Sequence, residues 1–454
     1  MKTWHISLAL GVSLFFPVFS SAQEQQPGPE RPPFAFTKVD TELLEKCNQL
    51  DKQFQDKGLV YNDRETTKYV TTVGQAVLPD GPTPESVQWQ FFVLRDPVPN
   101  AFALANGSIY IHTGLLALLE NEAQLASVLA HEETHVLNRH GYLENRSYRK
   151  KMATANILGS LASMGSYAGG VGGGVSVLMG ATVPSIVMST VNGYSRELER
   201  EADLRAVHAM VDADYSAEEM AIVFKLLQHS HEVEFTQNFY QDHPKLQDRA
   251  AYVSELADSL HTRTAHPKVE SDRYLLESES AVRHDVELEI RSDRARTAVW
   301  VMEHVIKRDD KLAENFYELG EAYRGLGPRT PEPTPQELSS QGKSEVRKMM
   351  SKMTPEEYEA ALLKTPEGQA AWKSNQEKSE KAYQKAIELS PAYAVPHRGL
   401  GFLYERGRQL ESGAREFRQY LELSPAALDA PQIKRHVAAM EKEAGSDSPP
   451  PAAN

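Results

Sequence analysis

Cysteine is nearly absent from this 454-residue chain: Cys47 stands alone, so no disulfide can form within the chain in any compartment. Basic charge is in short supply too. The 49 Lys and Arg face 63 Asp and Glu, giving a formal net charge of −14 with no long Lys/Arg run. A nucleic-acid partner is excluded on that ground, because phosphates need a basic footprint. From residue 152 to 195 charged side chains are missing altogether. Eight glycines between Gly159 and Gly180 make that run only mildly apolar and a poor uninterrupted helix. It reads as a Gly-rich loop leading into a buried helix, with room for peripheral membrane contact through residues 157–190. The rival reading, a bilayer span over that segment, would make the chain an integral membrane protease.

What the chain does have is ordinary globular material. With 41% hydrophobic and 25% charged residues, its length suffices for two or three domains with their own cores. Lys2, the apolar run Ile6 to Phe19 and the small residues ending at Ala22 form a secretory pattern, so residues 1–22 are expected to be a removed signal peptide. The polar stretch 23–36 follows as a linker, and no cysteine at the cleavage point offers a lipid attachment site. An exported chain without disulfides suits a bacterial periplasm.

Residues 37–265 are expected to form an α+β, mainly helical domain. A strand is expected within "VQWQFFVLRD", and "AFALANGSIYIHTG" reads as a hairpin turning at Asn106-Gly107, the dipeptide of two-residue turns with both central φ positive. A helix follows, capped by Asn121 with Gln124 three residues on and closed by Gly141. Residues 280–440 change character. "LGEAY" at Leu319 and "LGFLY" at Leu400 match the core of the tetratricopeptide repeat. Gly320 and Gly401 lie 81 positions apart, against about 34 for one period, so a surplus of about 47 is expected as an insertion within one repeat, near residues 326–375. Thr334-Pro335 with Glu337 and Thr354-Pro355 with Glu357 supply helix starts inside it. An end helix is expected over 431–444 and a disordered tail over 441–454.

The chemistry concentrates in "HEETHVLNRH", residues 131–140. His131 and His135, four apart, project from one helix face and can reach one Zn²⁺. Glu132, beside the first of them, can then serve as general base to a zinc-bound water. His140, nine residues after His131, falls on the opposite face of a continuous helix and is expected to support the helix end instead. The missing ligand has four candidates on a later helix: Glu197, Glu199, Glu201 and Asp203. Glu197/Glu201 and Glu199/Asp203 each share a face, and spacing does not choose between them.

A resemblance chooses. "NAFALANGSIYIHTGLL", "LAHEETHVLNRH", "SRELEREAD" and "HPKLQDR" together resemble the HtpX and CaaX-prenyl-protease family of gluzincin zinc peptidases, over residues from about 40 to 265. The resemblance implies one Zn²⁺ per chain, held by His131, His135 and Glu199. It implies that Asp203 holds a ligand histidine or helps proton transfer, and that His243 faces the zinc as a fourth ligand or an oxyanion stabiliser. Arg249 falls on a family position suited to a structural ion pair. The edge strand beside the zinc helix would hold extended substrate, with "SIYIH" and "AFALA" as candidates; His112 is expected to pack. With its signal peptide and repeats, the chain resembles the periplasmic protease-chaperone branch of that family. That implies protein substrates, misfolded or misassembled outer-membrane proteins, and the outer-membrane assembly machinery as partner. The alternative is a chaperone or assembly adaptor acting mainly through its repeats, with latent protease activity.

Overall fold

The computed structural model describes residues 35–157, 194–233, 246–260, 266–350 and 352–446. The signal segment, nearly all of the linker, the Gly-rich run past residue 157, His243 and the tail beyond residue 446 lie outside the described residues.

The chain opens with α1 (Lys38–Asp56) and α2 (Arg64–Ala76). In α1 the apolar positions Leu43, Cys47, Leu50 and Phe54 recur at helical spacing and are fully buried. Cys47 is therefore a core residue, and burial pushes its thiol up to about 12. Three strands come next: β1 (Gln90–Leu94), β2 (Ala101–Ala103) and β3 (Ser108–His112). Their order is β1-β3-β2, with β1 parallel and β2 antiparallel to β3. Alternation divides them by face: Phe92, Leu94, Phe102 and Tyr110 pack with α1, while Phe91, Val93, Ile109 and Ile111 join the main core.

The hairpin is where expected, but its turn is not the two-residue kind. Leu104 N–H bonds Ser108 O at 2.8 Å and Gly107 N–H bonds Leu104 O at 3.0 Å, leaving a three-residue loop. Only Gly107 has positive φ (97°) there. Asn106 instead spends its side chain on Asp51, Asn48 and the Ser108 N–H. Because β3 is central, "SIYIH" is not an edge; β1 and β2 are the outer strands, and β2 packs beside α4.

After α3 (Thr113–Leu118) comes α4 (Glu122–Leu137), capped by the Asn121 side chain on the Gln124 N–H at 2.9 Å. Gly141 does not close it. Arg139 takes the left-handed conformation (φ 57°), and Gly141 lies inside the next helix, α5 (His140–Ile157). The helices α6 (Arg196–Asp212), α7 (Glu218–Val233) and α8 (Leu246–Leu260) complete the first body, with α4 packed on α6, α7 and α2.

This body continues directly into the C-terminal helices. The next helix, α9 (Ser271–Arg291), puts Tyr274 and Ala281 into the main core and Val282 and Val286 into the next cluster. Then come α10 (Ala295–Arg308) and α11 (Ala313–Leu326), the short α12 (Pro335–Leu338), α13 (Ser340–Met350) and α14 (Pro355–Leu362), and the long α15 (Pro366–Leu389). The chain ends in α16 (Val395–Arg406), α17 (Leu410–Leu423) and α18 (Ala430–Ser446). Here α11 packs along α15 across the intervening short helices, and α16 packs along α17. Both expected capping boxes are present, at Thr334/Glu337 and Thr354/Glu357. The short helices are tied to α10, where Arg296 bonds Glu337 and the Thr330 carbonyl, each at 3.0 Å. Helix α18 runs to Ser446, into the stretch expected to be disordered, because Ile433 and Met440 bury its inner face. Among the described residues no helix is long and apolar enough to cross a membrane.

Candidate metal centre

His131 and His135 meet on one face of α4 with their Nε2 atoms 3.0 Å apart. Glu199, from the first turn of α6, closes the triangle: its carboxylate oxygens lie 3.6 Å from His131 Nε2 and 3.8 Å from His135 Nε2. One donor atom from each residue lies within 4.8 Å of the others. Two imidazole nitrogens and one carboxylate match the donor set of an open zinc site. Both Nδ1 atoms are engaged elsewhere, His131 with Asp203 at 2.9 Å and His135 with His140 at 2.8 Å. That turns the two Nε2 atoms toward each other, an arrangement a shared cation satisfies. The residues present fit the metal.

The face of α6 is settled by burial. Glu199 and Asp203 are 2% and 0% exposed, whereas Glu197 is exposed and Glu201 half-buried. Arg249 of α8 holds both buried carboxylates, through Nε and Nη2 to Asp203 at 2.9 and 2.7 Å and Nη1 to Glu199 at 3.0 Å. Tyr252 also donates to Asp203. Burial alone would raise the Asp203 carboxyl; the Arg249 guanidinium and the His131 imidazole outweigh it and hold it well below the usual carboxylate range. Burial pulls the His131 imidazole down, and the Asp203 hydrogen bond and charge more than offset it, leaving it raised. Glu132 is nearly buried on α4 next to His131. Glu133 is fully buried and burial pushes its carboxyl up, so it belongs to the helix's inner side rather than to the triangle.

Other expectations divide. His112 packs, with Nδ1 2.8 Å from the Val98 carbonyl. His140 does not merely support a helix end. Since α4 breaks at Arg139, it returns as the first residue of α5, fully buried against His135. Sequence reading misses it because the break rests on an arginine, not on the Gly or Asn that signals a left-handed residue. Tyr194, just before α6, is missed as well. Its ring stacks on His135 at 3.9 Å and lines a narrow crevice with Ala103 and Leu104.

Residues 64–257 match peptidase family M48. The beta-barrel assembly-enhancing protease of Yersinia pestis is 28% identical over 221 residues, 48% of this chain and 43% of that one. Its namesake in Escherichia coli K12 is 26% identical over 223 residues, 48% and 40% of the two chains. The mitochondrial metalloendopeptidase OMA1 of Schizosaccharomyces pombe is 28% identical over 151 residues, 33% and 40%. The matched stretch spans less than half the length of each of these curated relatives. Residues 64–257 contain the whole triangle of His131, His135 and Glu199, and the domain they build belongs to peptidase family M48.

Proposed function

We propose that the chain is a periplasmic zinc endopeptidase of protein quality control, cleaving misfolded or misassembled outer-membrane proteins. The observation that carries this is the convergence of His131 Nε2, His135 Nε2 and Glu199 on one point inside the family domain. In this reading the three side chains hold one Zn²⁺. Bound there, zinc supplies a Lewis acid that polarises a peptide carbonyl and acidifies a water. Glu132 takes the proton from the attacking water and passes it to the leaving amine. Asp203 fixes the tautomer of His131, and Arg249 keeps Asp203 charged and orients both Asp203 and Glu199. Extended substrate adds along β2, the outer strand next to α4, through main-chain bonds. The Tyr194 ring lines that crevice, so substrate entry displaces it. Recognition through backbone favours unfolded chains over one narrow sequence.

Helices α10, α11 and α15–α17 are, in this reading, degenerate tetratricopeptide pairs, with α12–α14 as the insertion. They recruit the assembly machinery that the names of the bacterial relatives point to. The secretory pattern of residues 1–22 supports a periplasmic location in this reading.

The test is zinc content per chain and casein cleavage for the wild type and three variants. Glu132→Gln is expected to keep its zinc and lose about 10²–10⁴-fold in rate; Glu199→Ala is expected to lose the metal. His243→Ala should keep zinc, cleaving faster if His243 is a latch and slower if it steadies the oxyanion. A Glu199→Ala protein with full zinc and full activity sinks the carboxylate assignment. An inactive Glu132→Gln variant that still supports outer-membrane protein assembly assigns the main role to the repeats.

A further inference from the structure

The two histidines of the triangle are supported unequally. His131 rests its Nδ1 directly on the Asp203 carboxylate at 2.9 Å. The Nδ1 of His135 instead meets another imidazole, His140 Nδ1, at 2.8 Å. Beyond that ring, His140 Nε2 lies 3.6 Å from Glu201 Oε2. Glu201 is itself held, since its Oε1 accepts from Asn138 Nδ2 at 2.8 Å and Asn138 Oδ1 accepts from Arg205 at 2.6 Å. The acceptors dictate where the protons on this line sit. For the His135 Nε2 lone pair to face a cation, His135 must carry its proton on Nδ1 and donate it. His140 Nδ1 must then accept, which leaves the His140 proton on Nε2, on the side of Glu201. The backbone makes the contact possible: the left-handed Arg139 reverses the chain so that a residue five after His135 meets it side by side.

We propose that His140 is the positioning residue for His135, an imidazole bridge that fixes its tautomer and ring orientation and extends the Glu201 charge to it. Thus each ligand histidine is backed by a carboxylate on α6: His131 directly by Asp203, His135 at one remove by Glu201. The inference rests on the reading of His135 as a zinc ligand.

The test measures zinc dissociation constants of the full mature chain by chelator competition, with the visible spectrum of the Co²⁺-loaded protein as a second readout. His140→Phe fills the space without an acceptor and is expected to weaken zinc binding about 10–100-fold, with a shifted Co²⁺ band. His140→Asn, whose Oδ1 can accept from His135, is expected to recover most of the affinity and the wild-type band. Glu201→Ala is expected to lose affinity by a smaller factor and to shift the band in the same direction. Equal zinc affinity in wild type and His140→Phe overturns the proposal, as does an Asn variant that falls as far as the Phe one. Should the Phe variant fail to fold, the Asn and Glu201→Ala variants decide: an unshifted band and unchanged affinity in Glu201→Ala overturn the bridge. A wild type that binds no zinc would instead sink the metal reading beneath it.

Discussion

Arg249 carries the electrostatics of the site. Its guanidinium is 3% exposed, bidentate on Asp203, bonded to Glu199, and laid over the Phe224 ring at 4.4 Å. Two buried carboxylates share this one guanidinium, so removing it takes the arginine charge from both and leaves Asp203 to His131 and Tyr252. Arg249→Met is expected to lower the stability of the zinc-free protein by about 3–5 kcal/mol, the usual cost of breaking a buried pair from one side. Arg249→Lys should not recover it, because a point ammonium cannot span both carboxylates in the same plane. Urea unfolding of the metal-free proteins measures this, and a loss under about 1 kcal/mol for the Met variant would contradict the account. At this scale the sequence is only partly legible. The spacing of His131 and His135 gives a shared helix face, and the structure brings them together. Between Glu197/Glu201 and Glu199/Asp203, however, both pairs are four apart, and nothing local tells which face turns inward. Only resemblance points to Glu199, and burial agrees with it.

Helix starts are legible where a capping side chain announces them. Asn121, Thr334 and Thr354 cap helices as their spacing predicts. The end of α4 is not, because a non-glycine residue in the left-handed region leaves no compositional mark, and with it goes the meaning of His140. Sheet order is likewise a long-range outcome: β1 inserts beside β3 rather than the hairpin standing alone, so "SIYIH" is interior. The paired L-G-x-x-Y motifs have a packing reason. Tyr383 of α15 is fully buried between α11 and α16, and a Cβ at Gly320 would come within 2.5 Å of its ring; at the second motif a Cβ at Gly401 would come within 2.3 Å of the buried Phe417 ring. Gly320→Ala is therefore expected to destabilise the chain by about 1–3 kcal/mol through overpacking, despite alanine's better helix propensity. Combining it with Tyr383→Leu should recover part of the loss, since the two share one contact. Thermal unfolding of the single and double variants tests it; a neutral Gly320→Ala, or losses that simply add, would mean the ring has room to move.

Across the whole molecule α9 joins what the sequence presents as two domains. Between residues 265 and 280 the sequence suggests a break, yet the Tyr274 hydroxyl bonds the Leu116 carbonyl, Tyr61 meets Ser280 at 2.7 Å, and Arg308 of α10 reaches the Glu120 carbonyl at 2.6 Å. An amphipathic helix with two buried faces reads in sequence like the start of the next domain, which is why its role as a joint goes unseen there. At this junction sits Asp285, fully buried. Burial raises its carboxyl, the Thr113 hydroxyl and the Arg294 guanidinium lower it, the Asp96 charge raises it again, and the balance stands at about 7. Proton counts give the sign. Between the unfolded value near 3.8 and the folded value of about 7 the folded chain holds a proton that the unfolded chain has released, so stability falls as pH rises through that window. The penalty is absent below about pH 4 and complete above about pH 7, on the order of 4 kcal/mol at most. Asp285→Asn keeps the shape and removes the titration. The zinc-free Asn variant is expected to come closest to wild type at about pH 4 and below, and to exceed it in unfolding temperature at about pH 8, where wild type carries the buried charge. Parallel pH profiles for the two proteins would show that the junction holds the carboxylate ionised without cost, and that Arg294 rather than the proton neutralises it.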